Sequence, residues 1–123
     1  MKISLDSDVN TVLIKACDDG QITVNGRVFT HSLMISPQGV RDNWEPTAVA
    51  ELRVDDLAPA LELNPQILLL GTGKTHCFPP AELMGAVLKQ NVGLEVMTTD
   101  AACRTYNVLV SEGRSVVAAL IIE

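Results

Sequence analysis

The sequence predicts an α/β fold in a single domain, antiparallel in its N-terminal part and β-α-β-α-β, with a largely parallel central sheet, in its C-terminal part. Three observations predict it. Up to about Asn64, short alternating stretches and a hairpin signal point to antiparallel pairing. After Asn64 the rhythm changes, and continuous apolar runs alternate with segments of helical period, the pattern of parallel strands joined by crossover helices. Hydrophobic residues make up 47% of the chain and aromatic residues only 3%, so the core is built from Leu, Val, Ile and Ala. At 123 residues the chain is expected to form one domain, residues 1–123, with its core from about 10 to 122.

The elements follow in order. Thr11 to Cys17 reads as a strand closed by Asp18-Asp19-Gly20. Gln21 to Val24 and Arg27 to Thr30 flank Asn25-Gly26, the strongest short-range hairpin signal, because both positions tolerate the positive φ of a two-residue turn. Ser32 to Ser36 is a further strand ended by Pro37, and Gln38 to Pro46 is a polar loop holding the lone tryptophan, Trp44. Asp55 and Asp56 favour a helix start, and Leu57 to Leu61 is a short helix before Pro65.

In the second half, Gln66 to Leu70 is a strand buried on both faces. A helix runs from Pro79 to Gln90, with Pro80, Leu83, Met84, Val87 and Leu88 on one face and Gly93 beyond its end. Leu94 to Met97 is a short strand. Thr99 is expected to cap a helix reaching about Glu112, whose buried stripe is Ala102, Cys103, Tyr106, Leu109 and Val110, with Gly113 as its stop. The Tyr106 hydroxyl is expected to reach the surface. Val116 to Ile122 is a final apolar strand. Ligands of such sheets sit at the carboxyl ends of the strands, here Gly71 to Cys77 and Thr98 to Asp100.

Charge and composition exclude several classes. The net charge is −6, from 9 basic and 15 acidic residues, with no basic run and few aromatics to stack on bases. Nucleic-acid binding and docking on an anionic bilayer are therefore not expected. The longest apolar runs, Ile67 to Leu70 and Val116 to Ile122, fall far short of the roughly 20 residues a membrane span needs. Met1 to Asn10 lacks an apolar signal core, so a cytoplasmic location is expected. The three cysteines, Cys17, Cys77 and Cys103, are odd in number and widely spaced, which suits a reducing compartment. No C-x-x-C or H-x-x-x-H spacing occurs, so no metal site is expected, and no cofactor.

The segment Leu68 to Thr75 imitates a phosphate-binding loop. Gly73, Lys74 and Thr75 match the tail of G-x-x-x-x-G-K-[ST], but the first glycine position is Leu68, and Pro79 and Pro80 delay the helix that should begin at the lysine. What remains is the Gly71-Thr72-Gly73 turn after a strand, whose N–H groups would face a ligand or, on the plainer reading, only make a tight turn. Arg104, Asn107 and Ser111, at i, i+3 and i+7, share one side of the last helix; the alternative is a solvated face with an Arg–Glu pair. Arg114 and Glu112 lie near its other end. His76-Cys77 is the nearest approach to a base and nucleophile, but adjacent loop residues rarely face each other and nothing orients the histidine. His31 reads as surface and Cys103 as core. Asp18-Asp19 and Asp55-Asp56 read as turn and cap. No catalytic set is complete.

The stretches Leu68-Leu69-Leu70-Gly71-Thr72-Gly73, Pro79-Pro80 with Leu83, Gly93-Leu94-Glu95-Val96-Met97, Asp100 to Leu109, Glu112-Gly113-Arg114 and Val117 to Ile121 together resemble one family. It is the domain-of-unknown-function family that includes mitochondrial complex I assembly factor 3 and short bacterial and archaeal proteins. Ala101-Ala102-Cys103-Arg104-Thr105-Tyr106-Asn107 is the most specific part, and Trp44 fits as well. Lys74, Thr75 and His76 stand outside the shared pattern. The resemblance implies a three-layer single α/β domain with a mixed central β-sheet and makes the glycine turn and the Arg/Asn helix shared surface features. It brings no reaction, cofactor or substrate; it implies a scaffold or chaperone-like role in assembling NADH:ubiquinone oxidoreductase.

The expected function is a non-catalytic binding or assembly module with a protein partner, a respiratory-complex subunit or assembly factor. The alternative is a small anionic-metabolite-binding protein, or an uncharacterised enzyme, with its site at the Gly71–Gly73 turn. The candidate binding residues are Gly71, Thr72, Gly73, Arg104, Asn107, Arg114 and Trp44.

Overall fold

The computed structural model describes residues 12–18 and 20–123; Thr11, Asp19 and the segment Met1 to Asn10 lie outside them. Eight strands among these residues form two sheets. β1 (Ile14–Asp18), β2 (Gln21–Val24) and β3 (Arg27–Phe29) make a small antiparallel sheet in that order. Its second hairpin turns on Asn25-Gly26 as expected: Val24 pairs with Arg27, and φ is +49° at Asn25 and +84° at Gly26, the two positive values a tight hairpin turn requires.

The main sheet has five strands in the order β5-β4-β8-β6-β7. These are β4 (Leu33–Ser36), β5 (Gly39–Arg41), β6 (Ile67–Gly71), β7 (Gly93–Met97) and β8 (Val116–Leu120). β6 runs parallel to both β7 and β8, while β4 is antiparallel to β5 and β8, so the sheet is mixed. β5 was not expected. It lies in the segment read as a polar loop, and a glycine, one apolar residue and an arginine carry no strand pattern; pairing with β4 makes it.

Three helices connect the strands: α1 (Ala58–Leu61), preceded by 3-10 turns at Val49–Glu51 and Val54–Leu57, α2 (Ala81–Leu88) and α3 (Thr99–Ser111). α2 starts later than its apolar pattern suggests, because extended Pro80 serves as its N-cap, and it ends at Leu88 with Lys89 as its C-cap. α3 is capped by Thr98 and not by Thr99: the Thr98 hydroxyl accepts from the Ala101 N–H at 3.3 Å. It ends at Gly113, φ +77°, with the Gly113 N–H donating to Val110 and the Arg114 N–H to Leu109, both within 3.0 Å.

The side-chain alternation of β6 and β8 divides the core. Leu69, Val116, Ala118 and Leu120 face the small sheet and the Ala102, Cys103 and Tyr106 stripe of α3. Leu68, Leu70, Val117 and Ala119 face α1, α2 and the Trp44 loop. The layers are therefore small sheet with α3, main sheet, and the α1–α2 side. Leu68, Leu69 and Leu70 are all fully buried, each worth about 2 kcal/mol of transfer from water, which explains the unbroken apolar run.

Candidate functional site

β6, β7 and β8 run in parallel, so their carboxyl ends meet at one edge. Gly73, Lys74, Thr98 to Asp100 and Ile121 to Glu123 line a hollow of about 440 Å3 there, together with Cys17 and Asp18. The expected edge is thus the one that forms. Its polar groups, however, bond to one another. The Thr72 N–H donates to the Met97 carbonyl at 2.8 Å, the Gly73 N–H to the Thr99 hydroxyl at 2.9 Å, and the Lys74 N–H to the Glu123 carboxylate at 3.3 Å. The Thr99 hydroxyl donates in turn to the Ile121 carbonyl at 2.7 Å, and the Thr99 N–H to the Gly73 carbonyl at 3.0 Å. The Thr72 hydroxyl closes the turn on the Thr75 carbonyl at 2.7 Å.

These bonds explain the glycines. A methyl group on Gly71 would stand 2.9 Å from the Thr99 Cα, so only glycine lets α3 start this close to β6. Gly73 has φ +97°, and a methyl there would meet the Glu123 carboxyl carbon at 2.8 Å. The turn is shaped by close approach, and its N–H groups do not stand open to solvent as a phosphate cradle would. Gly71, Thr72 and Gly73 are all buried. Three carboxylates, Asp18, Asp100 and Glu123, and one cation, Lys74, line the hollow, so the carboxylates outnumber the cation and the balance opposes an anion.

The α3 residues divide. Arg104 is exposed and forms an ion pair with Asp100 one turn back. This offsets the unfavourable placement of a cation near a helix N-terminus. Asn107 does not share that solvent face. Its amide donates to the Ile14 carbonyl at 2.7 Å and its oxygen accepts from the Ile14 N–H at 2.9 Å, a two-bond clasp between α3 and β1. Tyr106 is fully buried, and its hydroxyl donates to the Val12 carbonyl at 2.7 Å instead of reaching the surface. Burial pushes its phenol pKa up. Trp44 is only 6% exposed, and its indole N–H donates to the Asp56 carbonyl at 2.8 Å, tying the loop to the 3-10 turn. Arg114 is exposed, and no side-chain partner meets it among the described residues.

Cys17 and Cys103 do not read as nucleophiles, whereas Cys77 is exposed. Burial, above all, raises the pKa of Cys103 and of Cys17, whose side chains hydrogen-bond to each other; a raised pKa keeps a thiol protonated at neutral pH. His76 packs edge-on against Phe78, ring centroids 4.8 Å apart. No group of three or more His, Cys, Asp or Glu able to hold a metal occurs among the described residues. Thr99 is the central polar residue of the edge that sequence reasoning missed. Its position beside Thr98 at a helix start gave a capping signal but not its bonds to residues 22 and 26 positions away.

Residues 14–121 match the family model described as a protein of unknown function, DUF498/DUF598. A Francisella tularensis relative named 13 kDa major membrane protein is 31% identical over 106 residues, covering 85% of this chain and 86% of that one. A Danio rerio relative, NADH dehydrogenase [ubiquinone] 1 alpha subcomplex assembly factor 3, is 30% identical over 118 residues, 94% of this chain and 67% of its own length. A crystal structure of a Bordetella parapertussis protein superposes with a TM-score of 0.86 at 37% identity, covering 92% of this chain and 97% of that chain. No helix among the described residues is long and apolar enough to cross a membrane. The chain belongs to the DUF498/DUF598 family.

Proposed function

We propose that the chain is a non-catalytic binding module that acts in the assembly of a multi-subunit complex, of the NADH dehydrogenase kind. The observation that carries this reading is the relative named as an assembly factor, matched over 94% of this chain. The geometry supports it. The turn amides and Thr99 at the carboxyl edge, and Tyr106 and Asn107 on the small-sheet side of α3, are held in bonds within the fold. The exposed members of the candidate set, Arg104 and Arg114, are contact residues, not catalytic ones. The partner is a protein, a respiratory-complex subunit or a second assembly factor. The working location is cytoplasmic, where Cys17 and Cys103 stay thiols.

The small-anion alternative is disfavoured by the Glu123 carboxylate on the Lys74 N–H and by the acidic lining of the hollow. One purification tests both readings. The tagged protein is isolated from its own host, and its companions are identified by mass spectrometry. One stoichiometric protein companion is the expected result. Recovery of the protein alone, carrying a tightly held metabolite, would overturn the module reading and return attention to the turn.

A further inference from the structure

The opposite end of the main sheet, where β4 turns into β5 and α3 runs into β8, carries an open groove. It consists of two hollows of about 340 Å3 each, which share Gln38, Leu63 and Val117. Leu63 stands in it 53% exposed, just past α1. Arg41 lines one hollow and Arg114 the other. Both arginines are exposed, and neither side chain has an ion-pair or hydrogen-bond partner among the described residues.

Two other arginines are matched, whereas exposed Arg53, like Arg41 and Arg114, has no ion pair among the described residues. Arg27 pairs with Asp42 at 3.6 Å, and Arg104 with Asp100. Asp42, the carboxylate next to Arg41 in sequence, is therefore engaged elsewhere. Glu62 lines the first hollow but comes within 4.0 Å of neither guanidinium. An unpaired guanidinium presents a planar fork that fits a carboxylate with two parallel hydrogen bonds. Two such forks, one at each hollow of a groove holding an exposed leucine, complement an apolar side chain with acidic neighbours on both sides.

We propose that this groove docks an acidic, apolar segment of a partner protein, with one aliphatic or aromatic side chain against Leu63 and flanking carboxylates on Arg41 and Arg114. The proposal rests on the assembly-module reading and names its surface. A second copy of this chain is the competing occupant.

The first test places the photocrosslinker p-benzoylphenylalanine at Leu63 in the full chain, expressed in its host. Irradiation should join it to a peptide of another protein in which an apolar residue is flanked by Asp or Glu. Crosslinking to a basic segment, to a second copy, or to nothing while the tagged wild-type chain still recovers its companion would overturn the groove and leave the module reading standing. If the wild-type chain recovers no companion, the module reading fails by itself. The second test then decides the groove. A labelled peptide with a leucine between aspartates should bind by fluorescence anisotropy, and its lysine counterpart should not. Arg41→Glu with Arg114→Glu should weaken that binding by about tenfold and remove most of its salt dependence. Equal binding of both peptides, no binding of either, or no change in the double variant would refute the assignment.

Discussion

At the carboxyl ends of β6, β7 and β8, the turn amides, the Thr99 hydroxyl and the strand carbonyls are bonded to one another, and carboxylates line what space is left. At the other end of the same sheet, Arg41 and Arg114 stand without side-chain partners among the described residues, beside a half-exposed leucine. Parallel sheets ordinarily place ligands at the first of these ends. Here glycines admit backbone instead of ligand, so that end works as a clamp joining β6, β8 and α3. The contrast makes a mutational claim. Substitutions at the clamp should cost stability, and those in the groove should cost binding alone.

The largest effect is expected from Gly71→Ala. The added methyl would lie 2.9 Å from backbone at Thr99, which cannot swing aside as a side-chain tip could. The expected loss is about 3 kcal/mol, read from denaturant unfolding. A loss no greater than that of an exposed substitution would show that the approach of α3 to β6 is loose. Thr99→Val comes next. It keeps the shape but removes the acceptor for the Gly73 N–H and the donor to the Ile121 carbonyl, both within the buried edge. About 2 kcal/mol should be lost, since unsatisfied buried groups cost more than the bond itself contributes.

These residues also show what the sequence makes legible. The Asn25-Gly26 hairpin, β6 and the length of α3 follow from local chemistry: positive φ, an unbroken apolar run, and a threonine and a glycine at the two helix ends. The family was legible too, through residues 101–107. β5 was not, because its neighbours and not its residues make it a strand. The roles of Trp44, Thr99 and Asn107 were not legible either. Each is a polar or amphipathic residue in a surface-like context, and each spends its hydrogen bonds on backbone 12 to 93 residues away. Side-chain type announces a capacity to bond, whereas the partner is set by the tertiary fold.

Tyr106→Phe sharpens the comparison on the small-sheet side. It leaves the Val12 carbonyl without the hydroxyl and should cost about 1 kcal/mol. The pH dependence identifies the group. Burial raises the folded-state pKa above the ordinary value of 10.0, so the folded state holds the phenol proton more tightly than the unfolded state. Its contribution is fully present below pH 10 and is lost as pH rises beyond it. Cys17 and Cys103, raised from 9.0, add the same trend from a lower starting point. Unfolding free energy should therefore be level near neutrality and decline in alkali, and the variant should decline less. Identical slopes for the two proteins would mean that Tyr106 is hydrated.

The smallest effect is expected where sequence reasoning placed most interest. Arg104→Ala removes an exposed partner of Asp100, an i, i+4 pair in which both side chains are more than half exposed, 68% and 62%. Water and salt screen such a pair, and ordering two long side chains offsets part of the attraction, so about 0.3 kcal/mol is expected, vanishing at high salt. Arg41→Ala and Arg114→Ala should be as mild, since neither breaks a bond. The three differ in partner recovery from the host. Loss confined to the Arg41 and Arg114 variants would locate the working surface at the open end of the sheet. Loss confined to Arg104→Ala would move it to the rim of the clamp, and the division between a structural end and a binding end would fail.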